Sequence, residues 1–380
     1  WQLRVQCRFG GFCFALSFVS GDSLVARNPQ HAGIAGPLAK ILRNDSTTMK
    51  RIMILLILGL ISNILIAQNQ KEKFDIAIRE MSEMLDGKKP LDFKRAVFLT
   101  ENAYFNGQLD WNEFNSEIDR ITQILKQMIA KKGLHEFKTA GNWAIFTYMS
   151  DSIPENNFSP YTYDYENFMG DSDFLSFTVS NLLKTHKGNC HSLPYFYKIL
   201  ANELKVEAFL ATAPMHVFIK HKDEKGNWWN LEMTSGTFSR TSFIIESFNI
   251  SDAGIMSGLY LKPLDEKETI ALCILDLLSY YERIFDIYSD KFVFTCYQKG
   301  IEYYPNSNFQ IWKLNDQKHY LDNEMEKIGI SDYSKIHQYP KLEAMYNEME
   351  QTRLYLAEIG LSHLTPEQYE QKVMEIKNNK

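Results

Sequence analysis

Three residues in this chain could do thiol chemistry together. Cys190 closes the segment Lys187-Gly188-Asn189-Cys190, His216 lies in Ala213-Pro214-Met215-His216, and Glu232 ends Trp229-Asn230-Leu231-Glu232. A cysteine attacks a carbonyl as its thiolate, and free cysteine ionises only near pH ~8.5, so the sulfur needs help. The N-terminal end of a helix supplies partial positive charge and free N–H groups. An imidazole beside the sulfur completes the activation, and a carboxylate or amide then fixes the imidazole's tautomer. His216 and Glu232 are candidates for those two roles. The Cys190 backbone N–H is the first candidate oxyanion donor, with the Asn189 side chain or the Tyr161–Tyr165 loop as a second. Asn230 is a further polar neighbour of the carboxylate, and Tyr161, Tyr163 and Trp228 are candidate cleft walls. The same residues also fit a plainer role. Cys190 lies three residues before Leu193 and extends an apolar stripe, a lone His on a strand is usually structural, and Glu232 fits a solvated strand position. A metal site from Cys190, His191, His216 and His221 is disfavoured, because adjacent helical residues diverge and His216 and His221 point to opposite strand faces. Neither metal nor cofactor is expected.

The elements that must carry these residues can be read from periodicity. Residues 71–150 read as helices forming a packing layer, with a capping-box start at Asp110-Trp111-Asn112-Glu113. Residues 154–172 form a long loop rich in Pro, Asn and Tyr. A short helix is expected from Asp173 to about Lys184, then a helix from about Cys190 to Leu204. That second helix buries Leu193, Phe196, Tyr197, Leu200, Ala201 and Leu204 at steps of three and four. Gly188 lets a partner approach closely beside Cys190. Val206–Pro214 and Met215–Met233 read as extended, with a turn at 223–226. If Val217 and Ile219 share the core face with Leu231 and Met233, then His216 and Glu232 share the other. Pairing about residue 224 would set them directly opposite, and a left-handed Gly226 that moved the register by one would separate them. Two helices, Thr269–Phe285 and Lys291–Tyr304, follow with a stop at Pro305-Asn306, a pattern like one tetratricopeptide unit. Lys341–Asn379 is a charged helical tail in which Pro366 starts the last helix.

Composition narrows the setting. The chain is 45% hydrophobic and 23% charged, within the globular range, and carries a formal charge of −6. Seven Lys/Arg and only two Asp fall in the first 67 residues, so the remainder is more acidic still. Such a surface repels phosphate backbones, and no nucleic-acid partner is expected. Met49-Lys50-Arg51, the apolar run Ile52–Ile66 and Ala67-Gln68 have the order of a secretory signal peptide. The run is shorter than the ~20 residues of a bilayer span. We therefore expect export, to a periplasm or outside the cell, with no stable membrane span after cleavage. Residues 1–48 are expected to be non-native upstream translation. Cleavage leaves Cys190, Cys273 and Cys296, an odd number, so at least one thiol stays unpaired and must be buried, linked between molecules, or functional.

The segments 187–194, 213–219 and 229–232 together resemble the core of the bacterial transglutaminase-like superfamily. In that family a cysteine on a helix packs against an antiparallel sheet that supplies His and then Asp. The resemblance covers roughly residues 170–240. It implies an α+β fold with a papain-like or transglutaminase-like core, a helical N-terminal layer and an all-helical C-terminal module. The implied layout is 49–67 signal peptide, 68–250 transglutaminase-like domain, 262–325 tetratricopeptide-like helices and 326–380 helical tail. Cys190 would be the nucleophile, His216 the general base and Glu232 the third member, where the family usually has Asp. The implied activity is attack on a peptide or glutamine-type amide through a Cys thioester, with hydrolysis favoured over cross-linking. The alternative is a non-catalytic peptide- or protein-binding module. Partners implied are a peptide or protein substrate and a protein for the C-terminal helices.

Overall fold

In the computed structural model of the 380-residue chain, the described residues are 6–8, 12–14, 46–362 and 364–378. The expectation for residues 1–48 lies almost wholly outside them. The fold is mixed α+β, mostly helical, with a small antiparallel sheet. Strands β1 (Gln6–Arg8) and β2 (Phe12–Phe14) form a short antiparallel pair. Helix α1 spans Ser46–Leu85 and takes in residues 49–67. Residues 16–72 form one unit, and residues 73–380 belong to another. Among the described residues no helix is long and apolar enough to cross a membrane.

Within the larger unit, the end of α1 buries Phe74, Ala77, Met81 and Leu85. It is followed by α2 (Phe93–Tyr104), α3 (Trp111–Lys132) and α4 (Ala140–Ser150). Asp110 caps α3 by accepting from Asn112 N at 2.7 Å and Glu113 N at 3.1 Å. Ile118, Ile121 and Leu125 of α3 are fully buried, as its three-and-four spacing requires.

The loop expected at 154–172 contains β3 (Thr162–Tyr163), which pairs in parallel with β4 (Lys187–Gly188) and so runs beside the thiol segment. Between them lies α5 (Val179–Thr185), preceded by a 3-10 turn over Leu175–Phe177, where one helix from Asp173 was expected. The helix starts late because Thr178 is its N-cap and the Glu101 carboxylate, from α2, accepts from Val179 N at 2.6 Å and Ser180 N at 2.9 Å.

Helix α6 runs from Ser192 to Leu204. Cys190 therefore stands just before the helix, not inside it. The sheet has the order β5 (Phe209–Ala213), β6 (His216–Lys222), β7 (Trp228–Glu232), β8 (Thr237–Ser239), all antiparallel. Both faces of β6 are covered, since Phe218 and Ile219 are each 0% exposed.

The hairpin register differs from the one centred on residue 224. Ile219 pairs with Leu231 and Lys222 with Trp228, which centres the turn on 225 with a five-residue loop, 223–227. Asp223 builds that loop, accepting from Lys225 N and Asn227 N, while Gly226 takes φ 86°. The register moves by two positions in pairing, so His216 and Glu232 keep a common face but become diagonal neighbours, a separation long side chains can bridge.

Two short helices follow, α7 (Thr241–Ser247) and α8 (Asp252–Met256). Then come α9 (Glu266–Phe285), α10 (Lys291–Tyr303), α11 (Phe309–Lys327), α12 (Pro340–Glu358) and α13 (Pro366–Asn378). Helix α9 packs along α2 and is buried from Glu268 to Tyr281, so the C-terminal helices share the main core with the N-terminal layer. A second, smaller core of Leu321, Met325, Ile336, Leu342 and Met349 joins α11 to α12.

Candidate active site

The turn before α6 is tied from both sides. An added Cβ at Gly188 would lie 2.3 Å from Ser192 Oγ, so only glycine leaves room for that hydroxyl. Ser192 Oγ donates to Ser176 O at 2.6 Å and accepts from Asn189 N at 3.2 Å. Asn189 Oδ1 accepts from His191 N at 2.9 Å and from Ser192 N at 3.4 Å, which satisfies the first helical N–H groups of α6. Its Nδ2 donates to Phe168 O at 3.1 Å. Asn189 thus caps the turn before α6 through Oδ1 and commits one of its two Nδ2 N–H groups to Phe168 O.

This packing presents Cys190, 1% exposed, to the start of β6. Ala213 pairs with His216 across the two-residue turn Pro214-Met215. Met215 holds φ 59° there, the left-handed conformation that the second central residue of a type II turn takes. The turn aims the Met215 carbonyl at the thiol, which donates to it at 3.8 Å.

On the strand, His216 Nε2 lies 2.6 Å from Glu232 Oε2. The ring stacks on Phe248, with centroids 4.6 Å apart and planes at 15°. Its Nδ1 makes no hydrogen bond to a nitrogen or oxygen, and Cys190 is among the groups that interact with the ring. Burial acts to lower the imidazole pKa. The Glu232 charge, together with hydrogen-bonding contact to Cys190, outweighs it and raises the value to about 10. The ring thus stands between a carboxylate and the Cys190 sulfur.

The other expected site residues separate. Tyr163 interacts electrostatically with Cys190, and burial followed by that neighbour raises its phenol pKa. Tyr161 instead stacks on the His186 ring at 4.3 Å. Trp228 is 45% exposed and packs on Phe209, with Lys222 Nζ 4.8 Å from its ring centroid. Asn230 Nδ2 donates to Ser239 O and Thr241 Oγ1, pinning β8 to the start of α7. Neither Trp228 nor Asn230 is brought to the thiol.

No family model, curated protein or solved structure matches the chain. Its chemistry therefore has to be read from the geometry.

Two features had no sequence signal. Tyr369, from α13, donates its hydroxyl to Cys190 Sγ at 3.1 Å across 179 positions of sequence. His191 turns away from the thiol: its Nε2 lies 2.9 Å from Asp276 Oδ2, which also accepts from Tyr195 Oη at 2.6 Å. With Glu101, Cys273 and Tyr280 these residues line a small internal cavity. Among the described residues, no group of three or more His, Cys, Asp or Glu side chains is placed to hold a metal ion. Cys190, Cys273 and Cys296 are all buried and unpaired. Burial pushes the thiols of Cys273 and Cys296 well up, which makes them inert by comparison.

Proposed function

We propose that this protein is a thiol enzyme acting on amides, with a transglutaminase-like core in which Cys190 is the nucleophile, His216 the acid–base group and Glu232 the carboxylate that orients it. The observation that carries this is the 2.6 Å contact of His216 Nε2 with Glu232 while Cys190 interacts with the same ring. The Cys190 sulfur attacks the amide carbonyl, forming a C–S bond, and the oxyanion is held by the Cys190 backbone N–H. Collapse breaks the C–N bond, and the amine leaves with the proton from His216. The resulting thioester is cleaved by water, which gives its proton back to His216, releasing a carboxylic acid. Hydrolysis is favoured over cross-linking because water is the commoner acceptor outside the cytoplasm. Export, read from residues 49–67, belongs to the same proposal.

The test is the alkylation rate of Cys190 by iodoacetamide against pH, located by mass spectrometry. An ion-paired thiol reacts at a rate nearly flat from about pH 6 to 9, and His216→Ala restores a rise centred near the ordinary thiol pKa of ~8.5. A native profile already centred there would reject the activated thiol and leave a binding module.

A further inference from the structure

The thiol that this chemistry needs is covered by the chain itself. A carbonyl must come within ~3–3.5 Å of the sulfur to react, and the Tyr369 hydroxyl already stands at 3.1 Å. Both cannot be there at once. Tyr369 is 1% exposed, and its ring lies 6.2 Å from that of Phe168 and 6.4 Å from that of Phe248. Tyr163 adjoins both Tyr369 and Cys190. The rings of Phe168 and Phe248, with the Tyr163 hydroxyl beside them, thus make an aromatic slot whose inner end is the nucleophile.

The helix that fills the slot is held through one face. Gly360, at φ 74°, turns the chain back after α12, so close to α8 that an added Cβ would lie 2.2 Å from Gly254 N. This fixes where the returning segment starts. Ser362 Oγ then donates to Asn249 O at 2.9 Å. Among the described residues of this segment Leu364, Tyr369 and Val373 are buried and Leu361 and Met374 pack half-buried on the core, while Glu367, Gln368, Glu370, Gln371 and Glu375 face solvent. A helix docked through one face opens locally at a smaller free-energy cost than unfolding of the whole domain.

We propose that the slot over Cys190 is a side-chain subsite for an aromatic ring, that helix α13 (Pro366–Asn378) fills it in cis with Tyr369, and that a substrate bearing an aromatic side chain enters by displacing that helix. The substrate class rests on the thiol mechanism above; the occupancy of the slot does not. The ligand already seated argues for the class. It is a phenol, its ring beside those of Phe168 and Phe248 and its hydroxyl on a sulfur, and an aliphatic side chain would lose the ring–ring contacts.

The test is the iodoacetamide rate at Cys190 in the full chain, with p-cresol as the free ligand. Tyr369→Ala is expected to react about tenfold faster than the native chain or more, the factor that ~1.4 kcal/mol of lost docking represents. Millimolar p-cresol should slow that variant back toward the native rate, and cyclohexanol at the same concentration should not. Equal rates for the native and Tyr369→Ala chains overturn occupancy in cis, and absence of selective protection by p-cresol overturns the aromatic subsite. Should Tyr369→Ala lose its helical circular dichroism, Val373→Asp loosens the same helix and is held to the same two outcomes. Adding His216→Ala to the uncovered chain separates this proposal from the thiol mechanism. A thiol that is uncovered and protected by p-cresol, yet indifferent to His216, refutes the mechanism and leaves the slot standing.

Discussion

Cys190 and His191 are neighbours in sequence and belong to two networks made of the same parts. Each network has a histidine on a carboxylate, a tyrosine hydroxyl and a cysteine: His216, Glu232, Tyr369 and Cys190 in one, His191, Asp276, Tyr195 and Cys273 in the other. They differ in what closes them. The His191 network lies among α2, α6 and α9, whose buried residues belong to the main core. The His216 network is shut on one side by α13, whose Tyr369 and Val373 reach the same core while Glu367, Gln368, Glu370, Gln371 and Glu375 on its outer face are exposed. Burial alone therefore does not mark a site. A polar cluster sealed among several helices fixes the N-terminal turn of α6 to α9, whereas one sealed by a single amphipathic helix meets a substrate when that helix is displaced, as proposed above.

The comparison breaks most sharply at Asp276. Asp276→Ala leaves His191 and Tyr195 buried without their partner and should cost ~3–5 kcal/mol of stability, read as a lower urea midpoint. A change under ~1 kcal/mol would remove the structural role assigned to this pair. Next is Glu101, whose carboxylate closes the start of α5. Glu101→Ala should cost ~1–3 kcal/mol and speed amide exchange at Val179 and Ser180. Unchanged protection at those two amides would show that the cap is dispensable.

A further expected effect is on pH dependence at the His216 network. Its histidine pKa is raised from 6.5 to about 10 in the folded protein, so the fold holds a proton that the unfolded chain gives up. The stability from this pair is full below pH 6.5 and is lost progressively as pH rises to about 10. Glu232→Gln should flatten that decline. An unchanged slope would mean that another group sets it.

Much of the outer site was legible because its parts obey local rules. Apolar spacing from Leu193 to Leu204 marks α6, and strand alternation puts His216 and Glu232 on one face. The register was not legible from alternation, because parity is blind to a shift of two. The side chain of Asp223, bonded to Asn227 and to Trp229 Nε1, sets the loop length. Asn189 looked like an oxyanion donor because its type allows it, yet the late start of α6 makes it the cap. Tyr369, Asp276 and Glu101 had no spacing signal. Tyr369 is one of several aromatic residues in charged helices, and the other two are acids within otherwise apolar helical stripes. Their roles come from contacts across long sequence separations, which only the packing of α2, α9 and α13 creates.

The most direct test of the central claim is to look for the acyl-enzyme. The Tyr369→Ala chain, with its thiol uncovered, is mixed with p-nitrophenyl acetate, and the product is mapped by mass spectrometry. The account predicts a burst of about one p-nitrophenolate per chain and an acetyl thioester on Cys190. Cys190→Ala abolishes both, and His216→Ala slows acylation by ~10²–10⁴-fold. A chain whose Cys190 reacts with iodoacetamide but never carries an acetyl group would contradict it.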